Sequence, residues 1–237
     1  KRLWRGGLTG LQCRRWPCNL VKTADTPEAR KDALEKLEKE YDKDDPAAVF
    51  ARAQLQMQED PRKALATLET IKLEKVMPPV ADEARSQRAM IHLLFGETEA
   101  AKELVDKVDL SRHKDAKGRA MIAAIVAEAW ARAGQAKKAV ELLETLDIND
   151  AAFEEIKPQL LRSRAFAYAW TNDSKKMKAT LRTLSGLNMQ YMAFFITKKK
   201  VPAGVSPKGV HPLLEKEAYE MFMKSGMASR KVEYRRS

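Results

Sequence analysis

The sequence predicts an all-α protein made of stacked helical hairpins. Helix-forming residues dominate its 237 positions, whereas glycine and proline occur only 10 times each, a composition that favours helices by intrinsic propensity. Residues 130–146 and 168–184 also match column by column at a constant step of 38 residues. Such a step is typical of repeated helix pairs, each of which buries its apolar face by stacking on the next.

Positive charge is concentrated at the two ends of the chain. The net charge is +11, yet residues 1–22 contain six basic side chains and no acid, and residues 198–237 contain ten Lys or Arg and four Glu. Residues 23–197 are nearly neutral, with 28 basic and 29 acidic side chains. Basic ends on a neutral body predict arms that reach RNA or an anionic membrane surface.

The basic N-terminal arm, residues 1–24, contains both cysteines of the chain, Cys13 and Cys18. Their spacing permits a disulfide, whereas zinc would need two further ligands, so reduced thiols are favoured over either. The arm is arginine-rich and acid-free like a mitochondrial presequence, but it lacks serine and contains two tryptophans. A mitochondrial or cytoplasmic location is favoured, and a membrane tether upstream of Lys1 stays open.

Four copies of the repeat recur along the chain. Their centres lie near Glu59, Gly96, Gly134 and Asn172. Each copy predicts an apolar first helix, a polar turn and a second helix with apolar residues at positions i, i+4 and i+7. A glycine after the first helix is expected to adopt the left-handed conformation that ends a helix.

In its small, aromatic and glycine positions the chain resembles the tetratricopeptide repeat family over about residues 45–185. The resemblance is carried by Ala127, Trp130, Gly134 and Ala139, and again by Ala89, Gly96 and Ala101. The period departs from the family, at 37–38 residues rather than about 34. The resemblance implies a right-handed α-solenoid whose first helices line a concave partner groove. Pentatricopeptide-like hairpins, which bind single-stranded RNA, are a less well matched alternative.

Segments outside the repeats complete the predicted organisation. The repeat region, residues 25–185, is expected to open with a capping helix over residues 27–43. Residues 186–226 predict C-terminal helices with a lysine-rich loop, including one short apolar helix over "LNMQYMAFFI" and another that starts near Pro212. A basic tail, residues 227–237, follows.

A binding surface is expected on the first helices of the hairpins. The predicted groove residues are Met57, Met90, Leu94, Glu128, Arg132, Arg162, Phe166 and Trp170. An apolar strip with two arginines suits an extended or helical peptide that bears an acidic group. The alternative is that these side chains pack against neighbouring helices, which is favoured for Phe166 and evenly weighed for Arg132, Arg162 and Trp170.

Basic side chains near both ends form a second candidate surface. The predicted polyanion-binding residues are Arg2, Arg5, Arg14, Arg15, Lys198, Lys199, Lys200, Lys208, Arg230, Lys231, Arg235 and Arg236. They could contact a phosphate backbone, with Trp4 and Trp16 available for base stacking. The alternative is a set of solvated loops.

The sequence favours a binding protein over an enzyme. It contains no nucleophile elbow, phosphate-binding loop or metal-binding helix motif, and its three histidines are scattered, so no catalysis, cofactor or metal is expected. The favoured function is a non-catalytic scaffold or adaptor in a larger assembly. The alternatives are an RNA-binding protein of a ribonucleoprotein such as a mitochondrial ribosome, and a membrane-tethered repeat domain.

Overall fold

The described part of the chain is helical throughout. The computed structural model describes Val21, residues 24–196 and residues 209–225, and no β-strand occurs among these residues. The predicted all-α class is therefore confirmed for them. The α-helices are α1 Pro27–Glu40, α2 Pro46–Gln56, α3 Pro61–Glu69, α4 Pro78–Phe95, α5 Thr98–Val105, α6 Ala116–Arg132, α7 Ala136–Glu144, α8 Lys157–Trp170, α9 Ser174–Leu187 and α10 Pro212–Lys224. Short 3₁₀ helices span Leu110–Arg112, Ala151–Ile156 and Met189–Phe194.

Local sequence signals set where the first helices begin. Proline occupies the first turn of α1, α2 and α3, where its missing N–H costs no helical hydrogen bond. The preceding residues, Thr26, Asp45 and Asp60, accept hydrogen bonds through their side chains from the first backbone N–H groups. The capping helix expected over residues 27–43 is α1, and it ends at Glu40.

Three first helices are followed by a residue with a left-handed backbone conformation. Gly96, Gly134 and Asn172 have φ values of 74°, 87° and 58°. These positions are 38 residues apart, and each follows the first helix of a pair. The left-handed conformation expected of a glycine after the first helix is confirmed at Gly96 and Gly134. Asn172 adopts it as well, and asparagine tolerates it better than most residues because its side chain is short and polar.

The helices pack as consecutive pairs. We call α2–α3, α4–α5, α6–α7 and α8–α9 the first to fourth pairs, and the second helix of each of the first three pairs also packs against the first helix of the next. The first helices α4, α6 and α8 contact one another in order. Buried alanines such as Ala124, Ala127 and Ala131 let α6 approach its neighbours closely.

Two arginines at equivalent positions fasten one pair to the preceding pair. Arg88 Nη2 donates to the backbone oxygens of Leu68 and Ile71 at 2.7 and 2.8 Å. Arg164 Nη2 donates to the oxygens of Leu143 and Leu146 at 3.0 and 2.7 Å. The carbonyls at the end of a helix have no partner within it. Leu68 and Leu143 lie in the last turns of α3 and α7, and Ile71 and Leu146 lie just beyond them. The arginine of the next pair therefore adds hydrogen bonds to the carbonyls around each helix end.

A lysine–aromatic contact also recurs between copies. The Lys138 ammonium lies 3.7 Å from the centre of the Trp130 ring, and the Lys176 ammonium lies 5.4 Å from that of Tyr168. Both pairs join the second helix of a pair to its first. These two aromatic residues, which lie 38 residues apart, therefore make a cation–π contact in addition to their apolar packing.

The last described elements close the end of the stack. The segment predicted as a short apolar helix forms the 3₁₀ helix Met189–Phe194. Asn188 has an extended backbone, and its side chain accepts from the N–H of Gln190, so α9 ends at Leu187 and a tighter turn begins. The 3₁₀ helix and α10 pack on each other and on α9, burying Met192, Phe195, Leu214 and Ala218 completely.

Candidate partner-binding site

The eight predicted groove residues fall into two groups of different exposure. Glu128, Arg132, Arg162 and Phe166 are buried, with 1%, 7%, 5% and 1% of their surfaces exposed. Met57, Met90 and Leu94 are half-buried, and Trp170 is 38% exposed.

The buried group is organised around one carboxylate. Glu128 Oε1 accepts from Arg132 Nη1 at 2.9 Å and from Arg162 Nη2 at 2.8 Å, which joins α6 to α8. Arg132 Nη2 also donates to the backbone oxygen of Leu93 at 2.9 Å, reaching back to α4. Burial lowers the pKa of the Arg132 guanidinium, and the charge of Glu128 opposes that shift. We call Glu128, Arg132 and Arg162 the buried charge cluster.

The described residues that follow α9, residues 188–196 and 209–225, cover this cluster, and we call them the C-terminal segment. The Phe166 ring lies 5.4 Å from that of Phe195, and the Arg162 guanidinium lies 4.9 Å from the Phe194 ring. A Cβ atom added to Gly209 would lie 3.8 Å from Arg132 Nη2, an ordinary van der Waals distance, so Gly209 lies beside this guanidinium. The four buried residues therefore pack inside the chain instead of facing an open groove, as the packing alternative proposed for Phe166.

Trp170 meets the same C-terminal segment from another side. Its ring contacts that of His211 edge-on, with centres 4.9 Å apart. His211 in turn begins α10, since its ring Nδ1 accepts from the N–H of Leu213 at 3.2 Å. The part of the predicted groove formed by α6 and α8 is thus largely occupied by the chain itself.

The N-terminal part of the predicted groove stays accessible. A narrow cleft of about 30 Å³ lies between α2 and α4, with Leu68 of α3 at its floor. Its lining residues are Ala53, Gln54, Met57, Leu68, Gln87, Met90 and Ile91. We call it the α2–α4 cleft. Leu94 follows Met90 by one helical turn, so it extends the same face of α4.

Gln54 and Gln87 were not predicted from the sequence. Each precedes a cleft methionine by three residues and therefore shares its helix face. Their spacing from Met57 and Met90 was the available signal. Two amide side chains beside two flexible thioethers give the cleft hydrogen-bonding groups and an adaptable apolar surface.

A second buried polar cluster lies near the start of α4. Asp82 is fully buried and accepts from Arg85 Nη1 at 2.8 Å and from Arg112 Nη1 at 3.1 Å. Nε2 of the buried His113 lies 3.9 Å from Asp82 Oδ2. Burial lowers the pKa of His113, although Asp82 and Asp109 oppose the shift. The neutral imidazole is therefore favoured near neutral pH.

The remaining predicted site residues lie outside the described residues. All twelve polyanion-binding candidates, the two cysteines and Trp4 and Trp16 belong to this group. Among the residues that are described, no group of three or more His, Cys, Asp or Glu side chains is arranged to hold a metal ion. No helix in the same part of the chain is both long and apolar enough to cross a bilayer.

Comparison with known proteins yields no relative. No protein-family model, no curated protein and no solved structure matches the chain.

Proposed function

We propose that the chain is a non-catalytic scaffold whose α2–α4 cleft binds an apolar peptide or helix of a partner protein. In this proposal the four pairs form a right-handed α-solenoid of the tetratricopeptide type. The order of contacts supports the stacking, because each second helix meets the next first helix and α4, α6 and α8 follow one another. The recurring left-handed residues and paired arginines support the repeat.

The observation that carries the proposal is the difference between the two halves of the first-helix face. The half formed by α6 and α8 is covered by the C-terminal segment, whereas Met57, Met90 and Leu94 on α2 and α4 stay half-buried. A partner thus has access to the N-terminal half. The cleft is narrow, and methionine side chains can change rotamer to admit a bulky apolar group.

Site-specific photocrosslinking tests the proposal. A photoreactive amino acid replaces Gln87 in the cleft or Thr183 on the exposed face of α9, and the tagged chain is expressed in its native cells. We expect one polypeptide to crosslink from position 87 but not from position 183, because only the cleft contacts the partner.

The cleft substitution Met90→Glu provides the second readout. We expect it to abolish the crosslink from position 87 while circular dichroism shows an unchanged helical fold, because a carboxylate cannot enter an apolar contact without losing its hydration. Crosslinking of the same polypeptides from both positions, or a crosslink unaffected by Met90→Glu, would refute a cleft-specific scaffold.

RNA binding is a second candidate, favoured by one helix of the described part. α9 contains Lys175, Lys176, Lys178 and Arg182 and no acid. Lys176 and Lys178 form ion pairs at 2.7 Å with glutamates of α7 and α10, whereas Lys175 and Arg182 are exposed. These two are seven residues apart on one helix, about 10.5 Å at 1.5 Å per residue.

Salt-dependent RNA binding tests this candidate. If Lys175 and Arg182 each contact a phosphate of single-stranded RNA, replacing both with Gln lowers the slope of log K against log salt by about 1.4. Lys36→Gln, at an exposed lysine of α1, should leave the slope unchanged. Fluorescence anisotropy measures both, and equal slopes for the double variant and the unmodified chain would exclude a role for α9.

A further inference from the structure

The outward face of α10 carries apolar side chains that the fold does not bury. Tyr219 and Met223 are 50% and 46% exposed. They border an open cleft of about 530 Å³ between α10 and the end of the preceding 3₁₀ segment. Its lining residues are Ala193, Ile196, Pro212, Glu215, Lys216, Tyr219, Phe222 and Met223. We call this surface the α10 face.

The α10 face has the spacing of a helix-docking surface. Pro212, Lys216, Tyr219 and Met223 recur at intervals of four, three and four residues, which places them on one stripe of the helix. Leu214 and Ala218, on the other side, are fully buried and anchor α10 to the core. The exposed stripe is therefore available while the helix itself is fixed.

Protruding side chains and a cleft lie next to each other on this surface. A two-fold symmetric contact requires such self-complementarity, because each surface must supply both the inserted group and its receptor. Tyr219 and Met223 are the protruding groups, and the apolar wall formed by Ala193 and Ile196 is the receptor.

The charges along α10 are complementary when two such helices run antiparallel. Lys216 and Glu220 carry opposite charges and lie about one helical turn apart on α10. An antiparallel pair centred at residue 218 sets Lys216 of each copy opposite the partner's Glu220. A parallel pair would align like charges at all these positions.

We propose that the α10 face is a homodimer contact, occupied by a second copy of this chain with its α10 antiparallel. One helix and its adjoining turn offer less than the roughly 800 Å² per partner of a standard stable interface. The dimer is therefore weak and dissociates on dilution. This inference does not depend on the proposed scaffold function, because it uses the opposite end of the helical stack.

Analytical ultracentrifugation of the full chain over a range of concentrations tests the proposal. We expect the weight-average mass to rise with concentration from 26.8 kDa towards twice that value. Tyr219→Glu should weaken association by about tenfold or more, because it places a charge in the apolar contact. Met77→Glu is the matched control, since Met77 is 71% exposed but lies far from α10 in the chain, and it should not change the dissociation constant.

A charge exchange tests the antiparallel register. Lys216→Glu and Glu220→Lys should each weaken association, because each change turns both symmetric contacts between positions 216 and 220 into contacts of like charge. The double variant restores opposite charges in both contacts and should restore association. A constant monomer mass at all concentrations overturns the proposal and leaves the cleft to another occupant. A dimer unaffected by Tyr219→Glu, or a double variant no stronger than the single ones, also overturns it.

Discussion

Glu128 is the residue whose loss should most destabilise the described fold. Its carboxylate accepts from two buried arginines, Arg132 and Arg162, and lies with only 1% of its surface exposed. The substitution Glu128→Gln keeps the size and one acceptor oxygen but removes the negative charge. Two buried guanidinium groups then face each other without the carboxylate between them.

The expected cost follows from this geometry. Removing one partner from a buried ion pair costs about 3–5 kcal/mol, since the remaining charge stays desolvated. For a chain of this size, 1 kcal/mol changes the melting temperature by roughly 2–4 °C. We therefore expect Glu128→Gln to lower it by about 6–20 °C.

Urea unfolding followed by circular dichroism provides the free energy, and a thermal scan provides the melting temperature. Glu144→Gln is the matched control, because Glu144 pairs with Lys176 on the surface, where the side chains are 47% and 53% exposed. We expect that control to cost below about 1 kcal/mol. If Glu128→Gln costs no more than Glu144→Gln, the buried charge cluster does not stabilise the packing of α6 on α8.

Two further predictions concern the contacts of α4. Arg88→Met retains the aliphatic stem but removes two charged hydrogen bonds to helix-end carbonyls, so we expect a loss of about 2–3 kcal/mol in urea unfolding, against no measurable loss for the exposed Arg119→Met. The lowered pKa of His113 predicts a pH effect: below its ordinary value of 6.5 the unfolded chain binds a proton that the folded chain does not, so stability falls as pH drops through that range. His113→Gln should remove this decrease in the free energy of unfolding. Urea unfolding curves between pH 7.5 and pH 5.5 measure it, and an equal loss of stability in both proteins would contradict the prediction.

The periodic part of the fold could be predicted because its signals are local. A left-handed residue at Gly96, Gly134 and Asn172 follows from the need to end a helix, and the 38-residue step is visible without any knowledge of packing. Arg88 and Arg164 also follow this periodicity, since they lie 76 residues apart, which is twice the step. The sequence does not indicate, however, that an arginine, a residue usually found at the surface, donates to carbonyls at the end of the preceding helix.

The state of the candidate groove could not be predicted, because it depends on contacts between residues distant in sequence. Phe166 packs on Phe195 and Arg132 lies beside Gly209, and no local sequence pattern specifies contacts between residues so far apart. The 3₁₀ form of the short apolar helix was not predicted, since apolar composition alone does not distinguish a 3₁₀ helix from an α-helix and Asn188 decides where α9 ends. Met57 and Met90 differ from the predicted groove residues of α6 and α8 in how they are covered by the chain. Their residue type alone did not indicate this difference.

These contacts alter how differences between the predicted repeat copies are to be interpreted. Leu94, Arg132 and Trp170 occupy one column, and variation within a column that otherwise serves packing suggests adaptation to a partner. In the structure Arg132 donates a hydrogen bond to the backbone oxygen of Leu93 and lies beside Gly209. Trp170 packs on His211. The variation at Arg132 and Trp170 is thus accounted for by the chain's own C-terminal segment. Gly209 contacts the third pair at Arg132, and His211 contacts the fourth pair at Trp170. Leu94, beside the α2–α4 cleft, is then the one residue of this column whose identity is still best explained by a partner protein. Experiments on partner recognition are therefore best directed at that cleft.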